Sequence, residues 1–424
     1  MSRMLLTLIA FLLPLSLEAV QAEHPFDLDV EQITNGPDHH HFFGYIGQSL
    51  TTPWNASGRY ILTLRTRFHD RMPKATDSAD ICLIDTQNGN SVIPIEQTRG
   101  WNFQQGTMFY WHPRQPETQF FFNDRDPRTN RIFTVLYDIE RKERIREYRF
   151  DEVPVANGGV SPTGEFFLAI NYARMARLRP VTGYPESADL TESDPAPRND
   201  GIFRVDIESG KRKLLVSFRQ LRDLLRDRHA DIDNVGFYIN HSLSSRDGKH
   251  VYFYARGNYH GKTMAVNVPC SMTTDGTNLR SQQFIGGHPE WDEGSVVIGA
   301  IHPQRQVRYD IEQGRVIGEI GQTGDFPNPE GDVAMGPKAK WFVNGYSLNN
   351  RKDIQYVVMR RSDQALAKSP TFSRGPYQRG ELRIDPAPRW NRDGTQILVP
   401  GMTKDGTRQL HLLKIRLHAE GGSE

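Results

Sequence analysis

Seven times along this chain a turn rich in Pro, Asn, Asp and Gly is followed by an apolar or alternating stretch of five or six residues. The pairs are Pro53–Gly58 with Arg59–Leu64, Trp111–Pro113 with Thr118–Phe122, Ser161–Gly164 with Glu165–Ile170, and Ser245–Gly248 with Lys249–Tyr254. Trp291–Gly294 with Ser295–Ala300, Gly336–Ala339 with Lys340–Asn344, and Asn391–Gly394 with Thr395–Val399 complete the set. Most are followed by a second apolar stretch closing on an acidic turn, as in Ile81–Asp85, Phe133–Asp138, Ile202–Asp206 and Val307–Asp310. Period-two patterning between turn signals reads as β-strand, and recurrence of the whole unit reads as a repeat architecture. Each unit predicts a four-stranded antiparallel meander. A lone short sheet buries one face poorly, so the expected solution is ring closure into an all-β, seven-bladed β-propeller. Phe26–Asn35 and Gln409–Leu417 are the strands expected to complete the last blade.

Two insertions interrupt the rhythm. Arg219–His229 predicts one short helix, with Leu221, Leu224 and Leu225 on one side of a charged surface. Arg174–Asp200 carries no periodicity and predicts a long cover or lid. No linker stands out, so residues 23–424 read as one domain. Residues 1–22 read as a secretory signal: Arg3, an apolar run from Met4 to Leu17, and small residues before a cleavage point after Ala22. The expected location is therefore the periplasm or the medium, with no membrane span after cleavage.

Composition adds exclusions. With 52 basic against 51 acidic side chains, nothing suggests a nucleic-acid partner held by a basic face. Only Cys82 and Cys270 are present, in units expected to lie far apart, which predicts two buried thiols rather than a bridge.

The segments just before the seven turns are unusually polar for strands. They include His39-His40-His41, Trp101-Asn102-Phe103-Gln104-Gln105-Gly106, Asn157-Gly158-Gly159, Asn240-His241-Ser242, Gly287-His288-Pro289-Glu290, Glu330-Gly331-Asp332 and Arg383-Ile384-Asp385. In a propeller these positions line the axial funnel. A second polar set follows the next strand: Arg65, Arg67, Asn123-Asp124-Arg125, Arg174, Arg177, Arg256, Tyr259 and His260. The planar fork of arginine suits a carboxylate.

Together, His40-His41-Phe42-Phe43-Gly44-Tyr45, Pro53-Trp54-Asn55, Trp101–Gly106, Asn123-Asp124-Arg125, Asn240-His241, His288 with Trp291, and Pro388-Arg389-Trp390 resemble the oligogalacturonate lyase and rhamnosyl-glucuronate lyase family. The resemblance implies a seven-bladed propeller that cleaves a uronate-containing oligo- or polysaccharide in its funnel. It also makes a divalent cation such as calcium or manganese the candidate cofactor. Relatives carry further histidines in the last two blades, where this chain reads Glu330–Ala334 and Ile384–Pro388. No metal ligand is therefore named.

β-Elimination requires that the sugar carboxylate be neutralised, that a base take the C5 proton, and that an acid protonate O4. The expected roles are His41 as principal acid/base with His241 and His288, and Arg125 and Arg174 on the carboxylate. His40, Gln105, Asn123, Asn240, Arg177 and Tyr184 are expected to hold the glycan. A monomer is expected. Two other readings stand beside this one. One is a non-catalytic periplasmic propeller of the Tol type, binding a glycan or a protein. The other is a glycoside hydrolase using a pair from Asp124, Glu290, Asp332 and Asp385.

Overall fold

The computed structural model describes residues 25–41, 51–229, 231–259, 263–283, 285–301, 305–328 and 331–418. The expected signal segment lies outside them, as do Phe42–Tyr45, His260 and Glu330. Strands dominate. Four separate antiparallel sheets of four strands come first. Their strands are His39–His41, Tyr60–Thr66, Ala79–Asp85 and Ser91–Thr98; then Tyr110–Trp111, Gln119–Arg125, Ile132–Asp138 and Glu143–Tyr148. The third comprises Ala156–Val160, Phe166–Ile170, Gly201–Asp206 and Arg212–Ser217, and the fourth Val235–Ser244, His250–Tyr259, Thr263–Thr273 and Arg280–Ser281.

The remaining strands are hydrogen-bonded into one thirteen-stranded sheet. It falls into three further meanders: Gly286–Trp291 to Arg315–Ile320, Asp332–Met335 to Leu366–Lys368, and Arg389–Trp390 to Arg408–Leu417. Phe26–Gln32 completes the last of them, pairing antiparallel with Arg408–Leu417 from Phe26↔Leu417 to Gln32↔His411. The two terminal strands thus meet as their patterning predicts.

Burial along the strands follows their place in each meander. The middle strands Gln119–Arg125, Ile132–Asp138 and Phe166–Ile170 are buried almost throughout, as strands covered on both faces must be. The outer strands Glu143–Tyr148 and Arg315–Ile320 alternate between exposed and half-buried residues. Apolar clusters sit between neighbouring sheets, one of them uniting Phe121, Phe167, Phe203, Phe237 and Phe253. A recurring staple joins adjacent meanders: the indole of Trp111 donates to the carbonyl of Pro53 at 2.8 Å, Trp291 to Leu243 at 3.1 Å, and Trp390 to Ala334 at 3.1 Å.

Among the described residues two short α-helices are present where one was expected. The helix foreseen at 219–229 runs over Phe218–Leu225 (α2), capped by Ser217 and Gln220 in a reciprocal box, and buries Phe218, Leu221 and Leu225. The other, Tyr172–Leu178 (α1), is capped by Asn171 and lies at the start of the segment read as a loose cover. Its sequence is too short and too evenly polar and apolar to show helical periodicity. Both thiols are free and buried, and burial raises each to about 12. No helix among the described residues is long and apolar enough to cross a membrane.

Candidate functional site

Three inner strands are bulged where the polar residues stand. Register slips between Asn157 and Gly159, between Asn240 and Leu243, and between Gly286 and Glu290. A bulge bends the strand and re-aims a side chain that regular pleating would send elsewhere. At the second bulge His241 adopts φ +70°, a left-handed conformation uncommon outside glycine.

His241 and His288 line one cavity with Gln104, Gln105, Arg179, Thr182, Asn240, Arg256, Arg383 and Asp385. Their imidazoles stack nearly parallel, 4° apart in plane with centroids at 5.2 Å. The two rings have unlike neighbours. Burial, then Arg256, holds His241 well below the ordinary histidine range, which leaves it neutral at pH 7. His288 instead places Nδ1 2.5 Å from Asp332 Oδ1, across a parallel bridge that joins two meanders. Burial pushes the Asp332 carboxyl up, but the His288 charge and hydrogen bond outweigh it and hold the group below its usual range. Its other oxygen accepts the Ala387 N–H at 2.7 Å.

Buried polar atoms without a protein partner gather around this cavity: Gln104 Oε1, Gln105 Oε1, Thr182 Oγ1, Arg179 Nε and Asp385 Oδ2. Such atoms are rare in folded proteins, and a group of them marks a place for water or ligand. Gln105 is held by its amide, which donates to Asn240 Oδ1 at 2.9 Å. The volume is about 50 Å³. A liquid water occupies about 30 Å³, so the cavity has the scale of a carboxylate group rather than a whole sugar. Larger grooves of about 540 and 710 Å³ lie along seams of the last meander, lined by residues such as Glu31, Arg392 and Lys414 or Asp27, Lys368 and Arg416, with no histidine.

Of the residues expected at the site, His241, His288, Gln105 and Asn240 are brought together. The others stand elsewhere, each for a visible reason. His41 is fully buried in a separate stack, with centroids 5.2 Å from His69 and 5.6 Å from Phe103, and its Nε2 lies 3.0 Å from Thr66 Oγ1. His40 turns to Gln409 Oε1 at 2.9 Å, joining the first meander to the last. Arg125 donates to the carbonyls of Pro185 at 2.6 Å and Arg99 at 2.8 Å. Arg174 donates to those of Phe237, Thr191, Asp194 and Pro195. Both guanidiniums are buried and spent on backbone carbonyls, of the long 174–200 segment and of Arg99 and Phe237 beside it. Arg177 forks onto Asp189. Asn123 bridges the Asn157 carbonyl and the Tyr184 hydroxyl, and Tyr184 stacks on Tyr172 at 4.4 Å. These contacts fasten the 174–200 segment as a packed plug, against the expected loose cover.

Sequence reasoning missed Arg179, Thr182 and His69. His69 donates Nε2–H to the Leu382 carbonyl at 2.8 Å, and burial and Arg408 lower it to about 2. The only signal for Arg179 and Thr182 is their place in an arginine-rich insertion beside Arg177. Of the carboxylates weighed for hydrolysis, Asp332 is committed to His288, Asp385 accepts Arg383 Nε at 2.9 Å, and Asp124 pairs with Arg144 at 2.9 Å.

Meanders of this kind, packed around polar inner strands, define a β-propeller. No protein-family model matches the chain, and no curated protein matches it in sequence. Among solved structures, the oligogalacturonate lyase of Vibrio parahaemolyticus superposes with TM-score 0.59 at 15% identity, covering 92% of this chain and 97% of the other. An oligogalacturonate lyase in complex with manganese gives 0.58 at 16% identity, covering 92% and 96%. The chain therefore shares the fold of oligogalacturonate lyase, as its motifs suggested. Whether a metal suits this cavity is a question of donors. Among the described residues no three His, Cys, Asp or Glu side chains are grouped to hold an ion. Asp332 and Asp385 are already paired, and three arginines line the wall. That donor set does not fit a divalent cation.

Proposed function

We propose that this chain is an exported, seven-bladed propeller lyase that cleaves a uronate-containing glycan by β-elimination at the His241–His288 cavity. The observation that carries the reading is the facing pair of imidazoles in unlike surroundings. Unlike surroundings are how one site obtains a base and an acid at the same pH. His241, neutral among guanidiniums, takes the C5 proton. Electrons of that C–H bond form the C4=C5 double bond, and the C4–O4 bond breaks. His288, with Asp332 supplying the counter-charge an imidazolium needs, gives its proton to O4. Gln104, Gln105 and Thr182 offer acceptors to sugar hydroxyls. His41 has no part in this scheme; its stack supports the inner wall.

Seven meanders are supported by the seven turn-and-strand units and by the Trp staples between sheets. Export rests on residues 1–22, and N-terminal sequencing of protein recovered outside the cytoplasm should begin at Glu23. The elimination is tested by incubating the protein with oligogalacturonate and other uronate glycans and following absorbance of the unsaturated product near the ultraviolet edge. His241→Ala should lower the rate at least a hundredfold with the fold intact. Saturated reducing products would instead indicate a hydrolase, and binding without cleavage the non-catalytic propeller.

A further inference from the structure

Arg125 and Arg174 are spent on carbonyls, whereas Arg383 and Arg179, which line the cavity, each keep an N–H without a protein partner among the described residues. Arg383 gives Nε to Asp385 Oδ1 at 2.9 Å and Nη1 to the Gly380 carbonyl at 3.1 Å. Its own carbonyl accepts the Gln104 amide at 2.5 Å, so both ends of the residue are fixed. Its Nη2 has no protein partner among the described residues. Arg179 Nε likewise has none, and Arg256 is steadied by Asn267 Oδ1 at 2.9 Å. A divalent cation entering here would meet three arginines and one carboxylate, Asp385, already engaged by Arg383. An anion would meet forks with free N–H donors, in a space of about 50 Å³.

We propose that the cavity is an anion site in its own right, in which Arg383, braced by Asp385 and assisted by Arg179, neutralises a sugar carboxylate without any divalent cation. This rests on the lyase reading for its choice of anion. It gives Arg383 the task of stabilising the negative charge that develops on the carboxylate as the C5 proton leaves. Asp385 is a positioning residue: it fixes the plane of the fork.

The test is calorimetric titration of the full chain with galacturonate, glucuronate and digalacturonate in EDTA, with the methyl ester of digalacturonate as the uncharged control. At least one uronate should bind saturably in EDTA and the ester should not. Affinity should change less than twofold on adding Mn²⁺ or Ca²⁺. Arg383→Gln should weaken binding at least tenfold, Arg383→Lys should recover part of the loss, and circular dichroism should show both folded. Binding that appears only with metal, wild-type affinity in Arg383→Gln, or no uronate bound under either condition overturns the proposal. Binding in EDTA without unsaturated product would remove the lyase reading and leave this one. Unsaturated product formed only with metal would do the reverse.

Discussion

A guanidinium in this protein is either a rivet or a hand, and residue type does not say which. Arg174 makes five hydrogen bonds to backbone and hydroxyl oxygens, and burial holds its pKa below the ordinary arginine range. Truncating one partner of such a network leaves buried acceptors unsatisfied, at a cost of about 3–5 kcal/mol. Arg174→Met should therefore lower the urea midpoint sharply. A variant of wild-type stability with only a raised KM would return Arg174 to the binding site. This is also where legibility in the sequence stops. Polar residues before the turns marked the funnel, and His241, His288, Gln105 and Asn240 were found that way. Arg125 and Arg174, taken from the polar set after the next strand, and Tyr184, taken from the long insertion, act as fasteners, because whether a donor is free depends on carbonyls brought from tens of residues away.

At the scale of elements, strands were readable because covered strands must be apolar and turns need Pro, Asn, Asp and Gly. The bulges were not, since one residue of extra register leaves no pattern of its own. α1 was missed for want of a full amphipathic period. The seam between two meanders offers a sharp test. Gly331 precedes Asp332, and a Cβ there would lie 2.1 Å from the Gly345 carbonyl oxygen, closer than any real contact. Gly331→Ala must push apart Asp332–Met335 and Trp341–Leu348, carrying Asp332 away from His288. Activity should fall more than tenfold with stability reduced by about 1–3 kcal/mol, read from elimination rate and denaturation together. Unchanged turnover would separate Asp332 from the chemistry. A milder case is Ser217→Ala, which removes the α2 cap and should cost about 1 kcal/mol in a denaturant titration, with the cavity untouched.

Over the whole molecule, imidazoles are buried without charge in most of the meanders. His39, His40, His41, His69, His112, His241 and His411 all lie below the ordinary histidine range, each chiefly through burial. His69 is lowered to about 2 and His411 to about 4. Below about pH 6.5 the unfolded chain takes up protons that these rings in the fold refuse, so stability is full above that pH and falls as acid is added. Each ring that stays neutral costs about 1.4 kcal/mol per pH unit over that window. His69 and His411 alone should then remove about 4 kcal/mol between pH 7 and pH 5. The urea midpoint is expected to drop accordingly, and a flat profile over that interval would mean the rings reach solvent.

The pairing of Phe26–Gln32 with Arg408–Leu417 has a consequence in time. Phe26–Gln32 leaves the ribosome long before Arg408–Leu417 does, so the ladder they share can form only after the strands between them have been made. Until then the apolar faces of the last meander lack their final cover, and the order of folding is set by the slowest contact in sequence rather than by the nearest.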